Sequence, residues 1–426
     1  MKIIILLFAT ILFGNCLLFA QEKPAEKPPL TEQDLEKYTS YFQIADNKLI
    51  GDGAKFLTNE IIQNQFVILG EYHGSSEISK FTKAIIPIFH DAGCRTFGLE
   101  IGPISAQILA KLSKDSSKTI ENLKAFNSEN LVPMKTRSFT PIPFFSNVED
   151  AEFLMEARKR NWNLLGLDQE FSFSYIPLFQ TMFDNLKWGK QAELKPLFDK
   201  IITSIPAFYE ADSQEKMSQY KAILESKEIN NFLASASIGN PKNKQIADAI
   251  KFTTEIYYQN DRQIRRYYDA NSSRVNYMKN NLSEGFRKIK FDQTKDKMLL
   301  KMGAVHTGRG FSPLSLFEIG NTLSELAVFN GNRSLHIEFG SRYFIENGKE
   351  VDALSNEKGF LYRYQAFLQM SKKDKWTVID LRPLRNTVFY QRKFNLDSIV
   401  LEIFKNQDLY VMPPVDKDPT PNYQTK

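Results

Sequence analysis

The pattern of hydrophobic and polar positions alternates between strand-like and helix-like segments over residues 65–168. The apolar run QFVIL precedes SEISKFTKAIIPIF, which has helical spacing, and TFGLEIG precedes ISAQILAKLSKD in the same way. NLLGLD reads as a third strand, and strand patterns return at KMLLKMGAVH, SLHIEFG and KWTVIDLRP. Alternation of this kind is typical of parallel strands covered by helices. The sequence therefore predicts an α/β fold with a largely parallel central sheet flanked by helices.

The strand pattern stops between residues 172 and 285. Long helical stretches rich in Gln, Lys, Tyr and Asn replace it, such as NKQIADAIKFTTEIYYQNDRQIRRYYDANSSRVNYMKNNL. This change predicts an α-helical insertion at 172–285 between two parts of an α/β core domain, 41–171 and 286–415. The remaining predicted segments are a signal peptide at 1–20, a linker at 21–40 and a polar tail at 416–426.

The first twenty residues have the pattern of a targeting segment. Met1-Lys2 provides a positive start, IIILLFATILFGNCLLF is apolar, and Ala20 offers a small residue for cleavage. We predict an exported protein, periplasmic or secreted, with no stable membrane span after cleavage. A retained N-terminal anchor is the alternative. Asn15 before Cys16 is a poor match to the small residue that a lipoprotein site prefers.

Composition excludes several classes of function. Of the 426 residues, 42% are hydrophobic, which supports a large core, and the net charge of +5 is spread along the chain without a basic block. Nucleic acid is therefore not a predicted partner, and a small-molecule or peptide substrate is. After cleavage Cys94 would be the single cysteine, so an internal disulfide and a cysteine-based structural zinc site are ruled out.

Two tetrapeptides of one shape carry the candidate chemistry. Gly70-Glu71-Tyr72-His73 and Gly303-Ala304-Val305-His306 each end an apolar strand, and they contain two of the four histidines of the chain. We expect each glycine to let the backbone turn sharply at the end of its strand. Because parallel strands present ligands at their carboxyl ends, the two imidazoles should meet in one crevice.

Three charged residues complete the candidate catalytic set. Glu71 lies within the first tetrapeptide, and Glu100 lies in the apolar run FGLEIG, where a buried charge needs a partner. Arg274, Met278 and Asn281 share one face of the last long helix of the insertion. An imidazole can act as a base near neutral pH, a carboxylate can orient it, and a guanidinium can bind a developing oxyanion. The same histidines and glutamates, His73, His306, Glu71 and Glu100, are also candidate ligands of a divalent metal, and the two alternatives stay open.

Five motifs in order resemble one protein superfamily. GEYHGSSE, LEIGPISAQ, GLD, RVNYMKNN and GAVHTGRGFSP, within residues 65–172 and 260–385, are similar to motifs of the superfamily that joins erythromycin-esterase-like proteins, ChaN-like haem-binding proteins and TIKI/TraB proteins. The esterase-like branch implies that His73 is a general base for water, with Glu71, Glu100, Arg274 and His306 completing the site. The TIKI/TraB branch, which has two Gly-x-x-His motifs, implies a metal-dependent protease.

The ChaN-like branch implies a different class of function. Its Glu-then-Gln spacing is echoed by Glu100 and Gln107, and haem is its ligand. The leading hypothesis from the sequence is an exported hydrolase of an ester or amide bond. The alternatives are a non-catalytic haem- or metal-binding protein of iron acquisition, using His73, His306 or Tyr72 as ligands, and an enzyme fold that retains only binding.

Overall fold

The structure is a computed structural model that describes residues 27–134 and 138–425. The predicted signal peptide and the first six residues of the predicted linker lie outside the described residues. The described part of that linker is not extended throughout, because a helix occupies Glu32–Glu36 and the first strand begins at Thr39. No helix in the described ranges is long and apolar enough to cross a membrane.

Nine strands form the central sheet, in the order β2-β1-β12-β13-β9-β3-β8-β4-β7. The strands of the described residues are β1 Thr39–Ala45, β2 Lys48–Ile50, β3 Phe66–Glu71, β4 Cys94–Leu99, β5 Val132–Pro133, β6 Ser138–Phe139, β7 Asn163–Gly166, β8 Lys297–Gly303, β9 Ser334–Phe339, β10 Tyr343–Glu346, β11 Lys349–Asp352, β12 Trp376–Asp380, β13 Leu409–Met412 and β14 Val415–Asp416. Strands β13, β9, β3, β8, β4 and β7 are parallel, whereas β12, β1 and β2 add antiparallel pairs at one side. The predicted largely parallel α/β sheet is confirmed.

Helices cover both faces of this sheet. The helices of the described residues are α1 Glu32–Glu36, α2 Asp52–Gln63, α3 Ser76–Asp91, α4 Pro103–Leu112, α5 Thr119–Glu129, α6 Val148–Lys159, α7 Tyr175–Asp184, α8 Trp188–Ser213, α9 Gln219–Glu225, α10 Lys227–Ser237, α11 Pro241–Gln259, α12 Tyr267–Ile289, α13 Ile319–Phe329, α14 Gln365–Leu368 and α15 Ser398–Asn406. Short single turns connect several of them.

Strand β3 explains why the sheet needs cover on both sides. Phe66, Val67, Ile68 and Leu69 are all fully buried. Because side chains alternate along a strand, Val67 and Leu69 pack in a hydrophobic cluster with α3 and α6, while Phe66 and Ile68 pack in another with α12 and α13. A continuous apolar run is what a parallel strand buried on both faces requires.

The segment predicted as an insertion contains α7 to α12. Helices α7 to α11 share a hydrophobic cluster of their own, whereas Met278, Leu282 and Phe286 of α12 pack with the sheet. The last helix therefore belongs structurally to the sheet.

The segment predicted as a polar tail differs from that expectation. Asp416 lies in β14, which pairs with β10, and Asn422 is 1% exposed. The Asn422 amide N–H donates to the Ser146 carbonyl over 2.7 Å. Backbone pairing holds the described part of this segment against the domain.

Candidate active site

Four neighbouring strands bring the candidate residues to one edge of the sheet. Glu71 ends β3, Gly303 ends β8, Glu100 directly follows β4, and Asp168 follows β7. These strands are adjacent and parallel in the order β3-β8-β4-β7, with Glu71 paired to Gly303. Their carboxyl ends therefore lie side by side, which is the position where open parallel sheets hold ligands.

The two motif glycines serve close approach rather than a sharp turn. Gly70 lies inside β3, and neither Gly70 nor Gly303 adopts a positive φ. A Cβ on Gly70 would clash with the Thr307 hydroxyl and crowd the backbone of Ala304. Gly70 allows contact between β3 and the segment that follows β8, and Gly303, directly before the turn Ala304–His306, allows His73 and Glu100 to approach its backbone.

Glu71 is a buried carboxylate held between two cationic or ionisable partners. It is 5% exposed, ion-pairs with Lys301 of β8, and lies 3.2 Å from Nδ1 of His73 through Oε1. Burial favours its neutral form, but the Lys301 ammonium and the His73 imidazole outweigh burial and hold the pKa of Glu71 below its usual value. Because an ionised carboxylate only accepts hydrogen bonds, it selects the tautomer of His73 in which Nδ1 donates and Nε2 carries the lone pair.

His73 presents that free nitrogen on an accessible ring. Its side chain is 44% exposed, and its imidazole stacks on the ring of Phe144 with centroids 4.1 Å apart. Phe144 has a φ of +62°, which is unfavourable for a bulky side chain. Strained backbone of this kind is found at functional sites, and here it places an aromatic ring flat against the imidazole.

Glu100 is the second buried carboxylate of the site. Its Oε2 accepts the backbone N–H of Gly303 over 2.6 Å, and its Oε1 lies 3.1 Å from Nη2 of Arg274 and 3.6 Å from Nε2 of His306. The charge predicted to need a partner thus has several. It also joins β4, α12 and the end of β8 in one network.

Arg274 enters the site from α12. Its Nε donates to Oδ1 of Asp168 over 2.8 Å, and Nη2 contacts both Asp168 and Glu100. Burial disfavours its charge, but Asp168 and then Glu100 outweigh burial and raise its pKa above the usual value. Within the described ranges Nη1 has no hydrogen-bond partner, and the side chain is 22% exposed. Two charged N–H groups therefore remain for a bound molecule.

His306 is the buried counterpart of His73. It is 5% exposed, and its Nδ1 lies 2.9 Å from Oε2 of Glu318, the residue directly before α13. Burial disfavours the imidazolium, yet the hydrogen bond that the imidazole donates to Glu318 and the charge of Glu100 outweigh burial and raise the pKa of His306 above its usual value. His306 is thus adapted to carry a positive charge.

His73 and Glu100 converge on a single point above Gly303. A methyl group placed on Gly303 would lie 3.0 Å from Nε2 of His73 and 3.4 Å from Oε2 of Glu100. Because Gly303 has no side chain, the imidazole and the carboxylate both approach its backbone closely and lie near one another. A general base and a second polar group this close together are able to share one reacting water.

The two carboxylates considered as ligands of a divalent metal already have partners. Glu71 is paired with Lys301, and Glu100 is paired with Arg274 and the Gly303 amide. Within the described ranges no three or more His, Cys, Asp or Glu side chains are grouped as a metal site. The candidates His73, His306, Glu71 and Glu100 therefore do not fit a metal in this arrangement, because cations already neutralise both carboxylates.

For the haem alternative, the structure shows where the side chains of Tyr72 and Gln107 lie. Tyr72, considered as an axial ligand, donates its hydroxyl to Oδ2 of Asp416 over 2.9 Å, and Asp416 also accepts from Ser75. Gln107 lies on α4 and lines a separate cavity beside β7. Haem binding stays a prediction.

Three contacts of the site escaped the sequence analysis. Lys301 is a lone charge in the apolar run MLLKMG, the same signal that drew attention to Glu100, and could have been found from it. Phe144 lies in a loop far along the chain from His73, and Glu318 follows His306 by 12 residues. No local pattern distinguishes either residue. Asp168 ends the predicted strand NLLGLD, a position that fits a turn or N-cap residue as well as a direct role in the site.

The fold and the site define an α/β protein with a buried acid–base network at the carboxyl edge of a parallel sheet. Solved structures share this fold. An erythromycin esterase mutant in its open conformation is 16% identical, with a TM-score of 0.54 over 89% of this chain and 98% of that one. A succinoglycan biosynthesis protein is 14% identical, with a TM-score of 0.57 over 91% of this chain and 97% of its own.

A protein from Bacillus cereus gives a third similarity, at 15% identity and a TM-score of 0.53, over 92% of this chain and 98% of that chain. No protein-family model and no curated protein matches the sequence. At these identities the similarities show the fold. The presence of an erythromycin esterase among them agrees with the superfamily that the motifs resemble.

Proposed function

We propose that this protein is a hydrolase that cleaves an ester or amide bond in a small molecule or peptide, with His73 as the general base. The observation that carries the proposal is the convergence of His73 Nε2 and Glu100 Oε2 above Gly303, with Nδ1 of the same imidazole oriented by Glu71. The erythromycin esterase of the same fold supports the reaction class. As the N-terminal pattern predicts, the enzyme would act outside the cytoplasm.

The reaction follows from these positions. A water above Gly303 gives a proton to Nε2 of His73 while its oxygen bonds to the carbonyl carbon, and the carbonyl π electrons move to oxygen. The free N–H groups of Arg274 and the positive charge of His306 stabilise that oxyanion. When the bond to the leaving alcohol or amine breaks, the proton on Nε2 passes to the leaving group, which restores neutral His73. Glu71 stabilises the imidazolium between the two steps.

The test compares two histidine variants on 4-nitrophenyl esters from acetate to octanoate. The purified chain of residues 21–426 is expected to hydrolyse at least one ester, and His73→Gln should lower kcat/KM by about 100- to 10,000-fold. His90→Gln is the matched control, since His90 lies on α3, away from the site, where it accepts a hydrogen bond from Trp162. Its kcat/KM should stay within about twofold of wild type, as expected for a change away from the reacting groups.

Three results would contradict the proposal. One is no hydrolysis above buffer by wild type on esters or on the matching anilides. Another is equal activity of His73→Gln and wild type. Activity that EDTA abolishes and a divalent ion restores would instead assign the activation of water to a metal.

A further inference from the structure

A cavity of about 420 Å³ opens beside His73, on the side of the site away from Arg274. We call it the His73 cavity. Its walls come from the turn after β3, from Ala304, and from the segment 338–345 that ends β9 and forms β10. Residues 360–364 and 416–418 form the remaining wall. A volume of this size suits a small molecule, and the imidazole forms part of its wall.

Most of the lining is apolar and aromatic. Phe339, Phe344, Ile345 and Leu368 face the interior of the cavity, and Phe360, at its rim, is 62% exposed. An exposed phenylalanine at the mouth of an apolar cavity extends the surface that a nonpolar group could cover.

Two polar groups lie inside this apolar lining. Glu338 follows Ile337 on β9 and pairs in register with Gly70 of β3, so its carboxyl lies one strand away from Glu71. Burial, partly offset by the Gln407 amide, raises the pKa of Glu338 to about 7. In contrast to Glu71 and Glu100, Glu338 has no cationic side chain bonded to it in the described ranges.

Tyr410 supplies the second polar group. Its side chain is 1% exposed, yet its hydroxyl has no hydrogen-bond partner among residues 27–134 and 138–425, and it lines the cavity. Gly340 admits this phenol, because a Cβ at that position would overlap the hydroxyl. A hydroxyl that lines a cavity without a protein partner is free to bond to a molecule bound there.

The charges that line the cavity indicate which kind of molecule would bind there. Its lining includes the carboxyls of Glu338, Asp416 and Asp418 against the single ammonium of Lys417. Aromatic faces and an acidic surface together favour a cation, which gains both ion pairing and cation–π attraction. An anion would meet repulsion, and a wholly apolar group would leave Glu338 without a cation and the Tyr410 hydroxyl without a partner.

We infer that the His73 cavity binds an apolar group bearing one amine, with the ammonium on Glu338 and the Tyr410 hydroxyl, so that Glu338 is a specificity-determining residue. As a statement about substrate, this rests on the proposed hydrolase function. As a statement about binding, it stands on the cavity alone. The substrate class is then an ester or amide whose acyl or leaving part is an apolar amine.

Calorimetric titration tests binding without any requirement for catalysis. The probes are 4-phenylbutylamine, the neutral 4-phenylbutan-1-ol and the anionic 5-phenylpentanoate. Wild type is expected to bind the amine at least about tenfold more tightly than the alcohol, an ordinary value for one charge-assisted contact, and to bind the anion most weakly. Glu338→Gln should remove the preference for the amine while leaving the affinity for the alcohol within about twofold, as expected if only the charge is lost.

Two further variants keep the test decisive. Glu346→Gln changes an exposed glutamate of β10 outside the cavity and should leave all three affinities unchanged. Tyr410→Phe keeps the shape of the ring and should weaken the amine preference even if Glu338→Gln fails to fold. Equal binding of amine and alcohol by wild type, or a preference that survives in both cavity variants, would overturn the inference.

The ester assay separates the two proposals. Suppose that wild type binds the amine as expected but hydrolyses none of the esters in the assay. The cavity assignment would then stand and the hydrolase proposal would fail. Hydrolysis that depends on His73, without any preference for the amine, would have the opposite meaning.

Discussion

Two buried networks of histidine, arginine and carboxylate lie in this domain, and they differ in what they leave open. The network at the carboxyl edge of the sheet ends in His73, whose Nε2 makes no hydrogen bond within the described ranges and whose side chain is 44% exposed. Nη1 of Arg274 likewise has no hydrogen-bond partner among residues 27–134 and 138–425. This network therefore presents two groups with unused hydrogen-bonding capacity, and one of them, His73, lines a cavity.

The second network is closed. Asp408 accepts hydrogen bonds from Arg309 over 2.7 Å and from Arg385 over 3.2 Å. His336 is fully buried, with Nδ1 2.7 Å from the Thr307 carbonyl and Nε2 3.0 Å from the Ser334 hydroxyl. Each ring nitrogen has a protein partner, so no substrate could use it.

The difference teaches that residue types alone do not identify a site. Both networks contain a histidine near arginine and carboxylate groups, and Arg309 belongs to the same motif, GAVHTGRG, as His306. A catalytic imidazole needs one ring nitrogen that the fold orients and leaves without a hydrogen-bond partner. Three substitutions test this distinction, in order of decreasing expected effect.

The largest effect is expected for the ion pair between Lys301 and Glu71. This pair belongs to the network that contains His73, here called the open network. Lys301→Met leaves Glu71 buried without its main cation, so the free energy of unfolding should fall by about 3–5 kcal/mol. Adding Glu71→Gln should recover much of that loss, because the uncompensated charge is gone. Urea denaturation measures both, with Lys297→Met of the same strand as control.

Lys297 is half-buried and donates to the Ile62 carbonyl at the sheet surface, and its replacement should cost less than about 1 kcal/mol. If Lys301→Met were as mild as Lys297→Met, Lys301 would not be what keeps Glu71 ionised. The assignment of Glu71 as the group that orients His73 would then lose its basis.

Gly303→Ala tests the point on which the open network converges. Its φ of −54° suits alanine, so the fold should persist, but the new methyl group would occupy the position next to His73 and Glu100. We expect kcat/KM for the best ester to fall about 100-fold, as for a small misplacement of reacting groups. Gly189→Ala, which has no neighbour within 4 Å, should leave activity unchanged. Equal activity in both variants would remove Gly303 from the site.

His336→Asn tests the closed network through pH. Burial and then the charge of Arg309 lower the pKa of His336 to about 3, from an ordinary value of 6.5. Between these values the unfolded chain binds a proton and the folded chain does not, so this residue makes the protein less stable as pH falls below 6.5. Its contribution at pH 5 is about 2 kcal/mol.

The variant should therefore lose less stability than wild type between pH 7 and pH 5, by about 2 kcal/mol. Urea midpoints at the two pH values give the comparison. His90→Gln is the comparison: burial and the charges of Arg95 and Arg160 also lower the pKa of His90, but His90 lies outside both networks, so a smaller change in the same direction is expected. An identical pH dependence in His336→Asn and wild type would show that His336 is not held neutral by its surroundings.

The sequence predicts the sheet and much of the candidate site, for a physical reason. Glu71, Glu100 and the Gly303 to His306 segment each end an apolar strand, and parallel strands align their carboxyl ends. For these residues, the position at the end of an apolar run therefore predicts the position in space. Even so, their catalytic roles remain predictions that the ester assay tests.

The residues of the site that the sequence does not reveal are those that reach it through tertiary contacts of loops and strand ends. Glu318 reaches His306 from the start of α13, and Phe144 reaches His73 from a loop with an unusual backbone conformation. Glu338 lies in SLHIEFG. The pattern of this segment predicts a strand, but it does not predict the cavity at the carboxyl end of that strand. Such contacts depend on tertiary packing, which a single sequence does not encode locally.

The division between α11 and α12 has a consequence for how such a protein could change over generations. Helices α7 to α11 have a hydrophobic cluster of their own, whereas α12 packs on the sheet and carries Arg274. Residues 260–266 join the two parts outside any helix. Lineages could therefore replace or remodel the helices before this joint and inherit the arginine unchanged, which would let the surroundings of the site diversify while its charged centre persists.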